Sequence, residues 1–426
     1  MRTLVGFELR KIVKKRSFVI AFFVFMAIQT LLAFSGCLGN TYINGELLET
    51  HMERNKKDLE YGRAFSGRTV DEALLREIEA VMNKVDIIRR ELKSGLYIEA
   101  EMATSNADMT DDGVSYMLTD MYQNEVRPYE GIFDQIKGMA GMRGLSVLSL
   151  SEEEFYAHVD KLREDMYAGY GLSEKEKKYW QTKADSLPDK LTYEYSLAYE
   201  SLIHMDGSYM TLMLLTFFLS MVMVNVFMVE ANQRTDQLVF STRLGRGKLY
   251  GAKLLAGVLV TFVVTIVFVL IDVIGNATAY GWDGFHASLQ SVMASWYPYP
   301  LSAGETWLIM LGILVLSAIL IAVITMVLAW VIKNSVFTIA IMIGGLFVAR
   351  LIPVPPLEWG LISQLWNMIP INLLKFDQGF SDMRLYSLPG ISLTPWQFAP
   401  ILFVFLGACV IFAGKMSFCK AQIKGR

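Results

Sequence analysis

Cysteine is scarce in this sequence: Cys37, Cys409 and Cys419 are the three cysteines in 426 residues. None lies within 39–207, so this stretch has no internal disulfide. There is no Cys-x-x-Cys pair, and the four histidines do not stand at the spacing of metal ligands. We therefore expect no metal site, and we interpret the cysteines as small apolar residues of membrane helices or their flanks.

The sequence also lacks a complete phosphate-binding loop, although it contains Gly247-Lys248. In the motif G-x-x-x-x-G-K-[ST], glycine amides cradle the phosphates and the hydroxyl reaches magnesium. Here Thr242 stands in place of the first glycine and Leu249 in place of the hydroxyl residue. Both of these positions carry a residue that cannot perform the required role, and the sequence shows no other set of catalytic residues. We therefore expect no enzyme activity and no cofactor on this chain.

Apolar residues are abundant: they make up 53% of the chain, and the mean hydropathy is +0.37. Such a composition indicates a membrane protein. A hydrocarbon core about 30 Å thick needs about 20 apolar residues in a helix. Six segments approach or exceed this length: 18–38, 209–229, 254–274, 307–332, 335–352 and 396–414. We predict an all-α membrane protein with six transmembrane helices.

Basic residues are concentrated in alternate connections between these segments. Segment 1–17 has six Lys and Arg against Glu8 alone, and 230–253 has five against two acids, whereas 275–306 has none. An excess of Lys and Arg marks the cytoplasmic side. We therefore expect both termini in the cytoplasm and 39–208 outside the cell.

The segment 39–208 is acidic. Residues 39–207 carry 20 Lys and Arg against 33 Asp and Glu, a charge of −13, while the rest of the chain carries +10. Three capping boxes, Thr69–Glu72, Ser151–Glu154 and Ser173–Glu176, predict helix starts. After the first, apolar residues recur at spacings of three and four from Leu74 to Leu92. We predict a mainly helical extracellular domain between spans 1 and 2.

The N-terminus has two interpretations. Apolar residues of Leu4–Ser17 alternate with Arg10, Lys11, Lys14 and Lys15, as in a helix that lies in the membrane interface. We therefore predict a cytoplasmic interfacial helix over 1–17 and a first transmembrane helix over 18–38. The alternative is a lipoprotein signal peptide that ends at Phe34-Ser-Gly-Cys37, although Phe34 is bulky for such a site.

Gln29 and Asn225 are the notable neutral polar residues inside the predicted spans. Asp272 and Glu230 lie near span ends, and we interpret them as boundary residues rather than transport ligands. The connection 353–395 contains an aromatic, amphipathic stretch between prolines. We expect it to form a short helix at the outer interface or one that re-enters the membrane.

The connection 230–253 is the most distinctive segment. Residues 229–242 can form a helix, Gly245 and Gly247 permit a tight turn, and Lys248 begins a new helix at the membrane. Such an elbow can carry force between a soluble partner and two spans. The alternative is a basic anchor that has no partner.

These residues resemble the permease subunits of ABC-2 type exporters. The resemblance rests on Phe7–Arg16, on Glu230–Lys248 and on the six-span plan with a broken amphipathic segment before the last span. It implies that a separate cytoplasmic ABC ATPase binds ATP and Mg²⁺ and docks beneath the 230–253 loop. The implied coupling residues are Glu230, Arg234, Asp236, Leu238, Arg243, Gly245 and Arg246.

The resemblance further implies a dimer with a second permease chain, like or unlike, in a bacterial cell membrane. Nucleic acid is not an expected partner, and the large insertion 39–208 suits the export of a peptide, bacteriocin or drug. The alternative is a receptor or sensor whose outer domain binds a ligand without transport. A receptor needs a cytoplasmic output domain, and the largest internal cytoplasmic segment has only about 24 residues.

Overall fold

The predominantly helical fold predicted from the sequence is confirmed. The computed structural model describes residues 1–43, 46–93, 121–141, 150–203, 207–232, 247–293, 295, 297–388 and 391–420. The helices in chain order are α1 (Arg2–Val13), α2 (Arg16–Ala33), α3 (His51–Phe65), α4 (Glu72–Lys93), α5 (Arg127–Met139), α6 (Glu152–Gly169), α7 (Glu174–Ala184), α8 (Leu197–Ile203), α9 (Gly207–Met223), α10 (Asn225–Asn232), α11 (Gly247–Tyr280), α12 (Leu289–Val292), α13 (Ala303–Ile332), α14 (Ser335–Leu351), α15 (Leu361–Asn367), α16 (Pro370–Leu373) and α17 (Pro395–Cys419).

Two antiparallel hairpins interrupt the helices. One joins β1 (Asn40–Ile43) to β2 (Glu46–Thr50), and the other joins β3 (Tyr386–Leu388) to β4 (Ile391–Leu393). The short 3-10 and π segments are Ser35–Cys37, Tyr122–Val126, Leu357–Trp359 and Phe376–Phe380.

The chain divides into two compact units. Unit 1 comprises 1–32, 206–273 and 308–426, and unit 2 comprises 33–205 and 274–307. Unit 2 thus takes in most of the acidic segment together with 274–307, which contains α12 and lies between two predicted spans.

Within the described residues, five helical segments are long and apolar enough to cross a membrane: Arg16–Ala33, Gly207–Val229, Gly247–Tyr280, Ala303–Ile332 and Pro395–Cys419. The segment predicted at 335–352 forms α14, which has 17 residues and falls among the shorter apolar helices. At 1.5 Å per residue α14 is about 26 Å long, less than the hydrocarbon thickness of about 30 Å. The structure therefore supports five spans by length, not six.

The segment Gly207–Val229 lies at the centre of unit 1, because 72% of the residues in its most apolar stretch are buried. The corresponding buried fraction is 17% in α2 and 17% in α17. The outer faces of α2 and α17 are apolar, with Phe23 and Leu31 on α2 and Val404 and Phe412 on α17 more than 60% exposed. Helices with such faces are suited to contact lipid or another apolar helix surface.

The connection between α14 and α17 is divided into more short elements than the sequence predicts. Gly360, at φ +51°, separates the 3-10 turn from α15, and a positive φ of this size favours glycine. After α16, Asp382 accepts from the Arg384 guanidinium at 2.6 Å and from Asn367 Nδ2 at 2.9 Å, and all three residues are buried. The connection therefore consists of several short helical turns and a buried polar cluster, and not of one amphipathic helix.

In unit 2, two of the three predicted capping boxes are confirmed. Ser151 caps α6 through Glu154 and Ser173 caps α7 through Glu176, with the backbone and side-chain bonds both formed. The box predicted at Thr69 is wrong, because α4 begins at Glu72 and Asp71 Oδ1 accepts from Leu74 N at 2.9 Å. Thr69 instead lies in extended backbone, bridged to Thr192.

The apolar stripe predicted on α4 forms part of the core of unit 2. Leu74, Leu75 and Ile78 are fully buried, and Val81 and Met82 are nearly so. A second part of the core is aromatic: Trp180 meets Tyr299 edge to face at 4.9 Å, and Tyr199 packs on Trp282 at a centroid distance of 4.9 Å. Tyr193, Tyr195 and Tyr199 are all buried within unit 2.

Candidate functional site

Most of the predicted coupling residues lie outside the described chain. The backbone of Glu230 belongs to α10, but its side chain is not described. Arg234, Asp236, Leu238, Arg243, Gly245 and Arg246 lie outside the described residues altogether. The structure does describe the helices on either side of this segment, α10 and α11, and they carry the candidate site.

The N-terminal segment forms a helix separate from the first span. Helix α1 ends at Val13, with Lys14 at its C-cap, and α2 begins at Arg16. Arg10, Lys11 and Lys14 are exposed, whereas Lys15 is half-buried, and burial lowers the pKa of the Lys15 ammonium below its ordinary value. The basic residues thus lie mainly on the solvent side of α1.

The buried face of α1 consists of Val5, Glu8 and Ile12. These positions are three and four residues apart, so they share one face of the helix. Phe7, one of the apolar residues of the sequence pattern, is 58% exposed. A carboxylate therefore lies at the centre of the packed face of α1.

Glu8 forms a buried ion pair with Lys253 in α11. Lys253 Nζ lies 3.1 Å from Glu8 Oε2, and the two side chains are 2% and 3% exposed. The same ammonium donates to the carbonyl of Val226 in α10 at 2.8 Å, and Lys11 Nζ donates to Glu8 Oε1 at 2.9 Å. We call Glu8, Lys11, Val226 and Lys253 the Glu8–Lys253 junction.

The junction joins α1 to the helices before and after the 233–246 segment. Both charges have lost most of their hydration, so removal of one partner leaves the other buried and uncompensated. That arrangement costs several kcal/mol when broken. The positions of α1, α10 and α11 relative to one another are therefore held by the contacts of the Lys253 ammonium.

An aromatic cluster adjoins the junction: Phe227, Tyr250, Trp330 and Phe418. Phe418 lies 5.6 Å from Phe227, 5.5 Å from Tyr250 and 4.7 Å from Trp330, measured between ring centroids. Lys253 Nζ is 5.8 Å from the centroid of the Phe227 ring, within cation–π range. The cluster thus extends the junction from α10 and α11 to α13 and α17.

Polar bonds fix the aromatic cluster. Tyr250 Oη donates to the carbonyl of Ile411 at 2.8 Å, and Trp330 Nε1 donates to Ser417 Oγ at 3.2 Å. Gly414 allows the close approach of α17, because a Cβ there would overlap the Tyr250 hydroxyl and lie 2.9 Å from the methyl carbons of Val327. Helix α17 is therefore held at a defined position against α11 and α13.

The cavity at the junction is small. This cavity, lined by Glu8, Lys15, Asn225 and Lys253 among others, has a volume of about 30 Å³, room for about one water molecule. Among the described residues, no group of three or more His, Cys, Asp or Glu could hold a metal ion. What this arrangement can do is transmit displacement between the helices that it joins.

A second polar contact links the first three spans within unit 1. Gln29 Nε2 in α2 donates to Thr211 Oγ1 in α9 at 3.1 Å, and Thr211 Oγ1 lies 3.5 Å from Asp272 Oδ2 in α11. Asn225, the other polar residue noted in the spans, donates to the carbonyl of Met221 in the preceding turn at 3.1 Å. Asp272 thus contacts a neighbouring span, a contact that its position in the sequence does not indicate.

Sequence reasoning missed Glu8 and Lys253 as partners. One signal was present: Glu8 is the single acid among the first 17 residues, set among six bases. An isolated acid on the apolar side of a basic helix is a candidate for burial against a cation. The partner could not be identified, since Lys253 is one of several cations near span ends and lies 245 positions away.

Comparisons of the chain with protein-family models, with curated proteins and with solved structures found no significant match.

Proposed function

We propose that this chain is the membrane-spanning permease subunit of an ATP-driven exporter of the ABC-2 type. The resemblance of the N-terminal segment and the 230–253 segment to such permeases suggests the class. The observation that carries the proposal is the Glu8–Lys253 junction, which joins both flanks of the 233–246 segment to the interfacial helix.

The proposed mechanism is mechanical coupling. A cytoplasmic ABC ATPase docks on 230–246, and ATP-driven closure of the ATPase displaces this segment. Val226 and Phe227 precede the segment and Tyr250 and Lys253 follow it, so its displacement reaches α1, α13 and α17 through the junction and the aromatic cluster. The ATPase then favours one of two arrangements of the spans through its different contacts with each.

The proposed topology rests on the distribution of basic residues, and the proposed site of ATP binding rests on the incomplete phosphate-binding motif. ATP and Mg²⁺ bind to the partner, because Thr242 and Leu249 occupy the mechanistic positions of the motif in this chain. The basic connections put both termini in the cytoplasm and the acidic segment outside. A second permease chain completes the pathway for a substrate such as a peptide.

The test is coexpression of this chain with the ABC ATPase encoded next to its gene. We expect a stable complex in detergent whose ATP hydrolysis requires the phosphate loop of the partner. The absence of an adjacent ATPase gene, or an ATPase that does not copurify with the intact membrane chain, would contradict the proposal.

The alternative is a receptor or sensor, and one observation favours it: unit 2 contains a cavity of about 680 Å³, the size of a small-molecule site. A receptor would bind its ligand and form a stable complex with a cytoplasmic signalling protein rather than with an ATPase. The same copurification experiment therefore separates the two functions.

A further inference from the structure

The cavity in unit 2 lies outside everything that the coupling mechanism uses. Its walls come from β2, α3, the π turn before α5, α5 itself and residues 193–197, which precede and begin α8. Its volume of about 680 Å³ is within the range of pockets that hold small organic ligands. The walls carry charged groups and tyrosines, so a ligand would meet both.

The charge of the cavity is negative. Six carboxylates and three basic side chains line it, a formal charge of −3. All three basic groups are already paired with carboxylates, and Arg54 Nε lies 3.9 Å from Asp58 Oδ2. Arg127 donates to both oxygens of Glu49 at 2.8 and 3.1 Å, and Lys137 Nζ lies 3.0 Å from Asp134. The carboxylates outnumber the basic groups by three, and this excess sets the electrostatic character of the space.

Glu130 is the carboxylate with the clearest need for a cation. It accepts a hydrogen bond from Tyr122 Oη at 2.8 Å, and it forms no ion pair with any described Lys or Arg. Burial raises the pKa of Glu130 and the nearby charge of Asp134 adds to this shift, while the hydrogen bond from Tyr122 and the charges of Arg127 and Arg54 offset part of it. A bound cation would relieve both effects.

Tyr193 provides an unpartnered polar group in the same cavity. The residue is 4% exposed, and its hydroxyl makes no hydrogen bond to any described residue. The hydroxyl is directed across Gly131, 3.8 Å from where a Cβ would lie, and Gly131 also lines the cavity. The hydroxyl is therefore available to a polar group that enters the cavity.

We propose that this cavity binds an organic cation that bears a primary ammonium or guanidinium group, such as a short basic peptide. The carboxylates of Glu130 and Glu194 supply the counter-charge, and the Tyr193 hydroxyl accepts a hydrogen bond from the cation. Tyr61 and Tyr193 present aromatic rings to the same space, and such rings attract cations.

A larger organic cation fits this cavity better than a metal ion does. Among the described residues no group of three or more acidic, His or Cys side chains is arranged to hold a metal. The volume is also far larger than an ion needs. A ligand with separated charged groups could instead reach several carboxylates at once.

Binding is measured by titration calorimetry on the full-length chain in nanodiscs, with trilysine as the probe and triglutamate as its charge-reversed match. No ATPase or ATP is present, so a negative result here leaves the proposed transport function untouched. We expect saturable binding of trilysine that weakens with added salt, and no binding of triglutamate.

Two cavity variants and one matched control complete the test. Glu130→Gln keeps an acceptor for Tyr122 but removes the charge, and we expect the affinity for trilysine to fall roughly tenfold or more. Tyr193→Phe removes a hydroxyl that has no described partner, so folding is retained while affinity falls by roughly threefold to tenfold. Glu153→Gln, an exposed carboxylate at the start of α6, should bind as the wild type does.

The proposal is overturned if trilysine does not bind, if triglutamate binds equally well, or if both cavity variants bind trilysine with wild-type affinity. Should Glu130→Gln fail to fold, the Tyr193→Phe result decides the matter alone.

Discussion

Glu8 and Lys253 are 245 positions apart in the chain and form a buried ion pair with an N–O distance of 3.1 Å. The pair fixes α1 against the start of α11, and the Val226 carbonyl brings α10 into the same contact. Since α10 and α11 flank the 233–246 segment, this contact is where force on that segment would enter the membrane helices.

The first prediction concerns the free energy of this pair. Lys253→Met leaves the Glu8 carboxylate buried with only Lys11 as a counter-charge, so we expect a loss of about 3 kcal/mol in unfolding free energy. The measurement is unfolding of the purified protein in detergent micelles. Lys11→Met is the matched control, because Lys11 is about one-third exposed and its ion pair contributes less than about 1 kcal/mol.

A double variant sharpens this test. When Glu8→Gln accompanies Lys253→Met, no buried charge is left unpaired, and part of the lost stability should return. If the effects of the two single variants simply add, or if Lys253→Met costs no more than Lys11→Met, the junction is not the structural link that we infer.

The second prediction concerns the close approach of α17. Gly414→Ala forces its new methyl group against the Tyr250 hydroxyl and Val327, so the unfolding free energy should fall by an amount typical of overpacking, about 1–3 kcal/mol. Gly407→Ala in the same helix is the control. Its nearest contact would be Leu320 at 3.8 Å, and alanine favours a helix by about 0.5–1 kcal/mol over glycine. Equal effects of the two variants would contradict the packing described for α17.

The third prediction concerns the pH dependence of unit 2. Burial tends to raise the pKa of Glu49, but hydrogen bonds from Arg127 and Lys57 outweigh it, so the net pKa is below its ordinary value. A lowered folded-state pKa contributes stability above the unfolded-state value of about 4.3, and this stability is lost as pH falls through the folded-state pKa.

Glu49→Gln should therefore destabilise the protein at pH 7 by about 3 kcal/mol, since it leaves Arg127 buried without its bidentate partner. It should also flatten the loss of stability below about pH 4.3. Unfolding midpoints measured between about pH 3 and pH 7 test both statements. An unchanged acid profile in the variant would show that other carboxylates govern it.

The fourth prediction separates a capping box from a sequence that only resembles one. Ser151 accepts from Glu154 N at 3.3 Å, so Ser151→Ala should cost about 1 kcal/mol and speed hydrogen exchange in the first turn of α6. Thr69 caps no helix, so Thr69→Ala should leave the first turn of α4 protected. If Thr69→Ala exposes that turn to exchange, α4 begins earlier than Glu72.

The sequence is informative where a physical signal is local. The five long spans follow from hydropathy over about 20 residues, and the caps of α6 and α7 follow from a hydroxyl and a carboxylate three residues apart. Thr69–Glu72 has the same spacing, but pairing of its extended backbone with residues near Thr192 moves the helix start. That tertiary contact leaves no trace in the local sequence.

The two candidate sites could not be predicted from local signals in the sequence. The junction brings together residues from α1, α10 and α11, and the unit 2 cavity combines β2, α3, α5 and the segment that contains Tyr193. Periodicity and propensity describe one element at a time, so they cannot identify which charged side chains of distant elements become buried together. A lone acid in a basic helix, as at Glu8, is the most that such a pattern offers.

The most direct test of the central claim is the binding of the neighbouring ATPase to the full-length chain in nanodiscs. Replacement of Arg234, Asp236 and Arg243 by alanine should weaken this binding by roughly a hundredfold while the chain still inserts into the membrane. A control variant, in which the exposed Arg2 and Lys14 of the N-terminal segment are replaced by alanine, should bind normally. Wild-type affinity in the triple variant would contradict the docking of the ATPase on this segment, and with it the role of the Glu8–Lys253 junction in coupling.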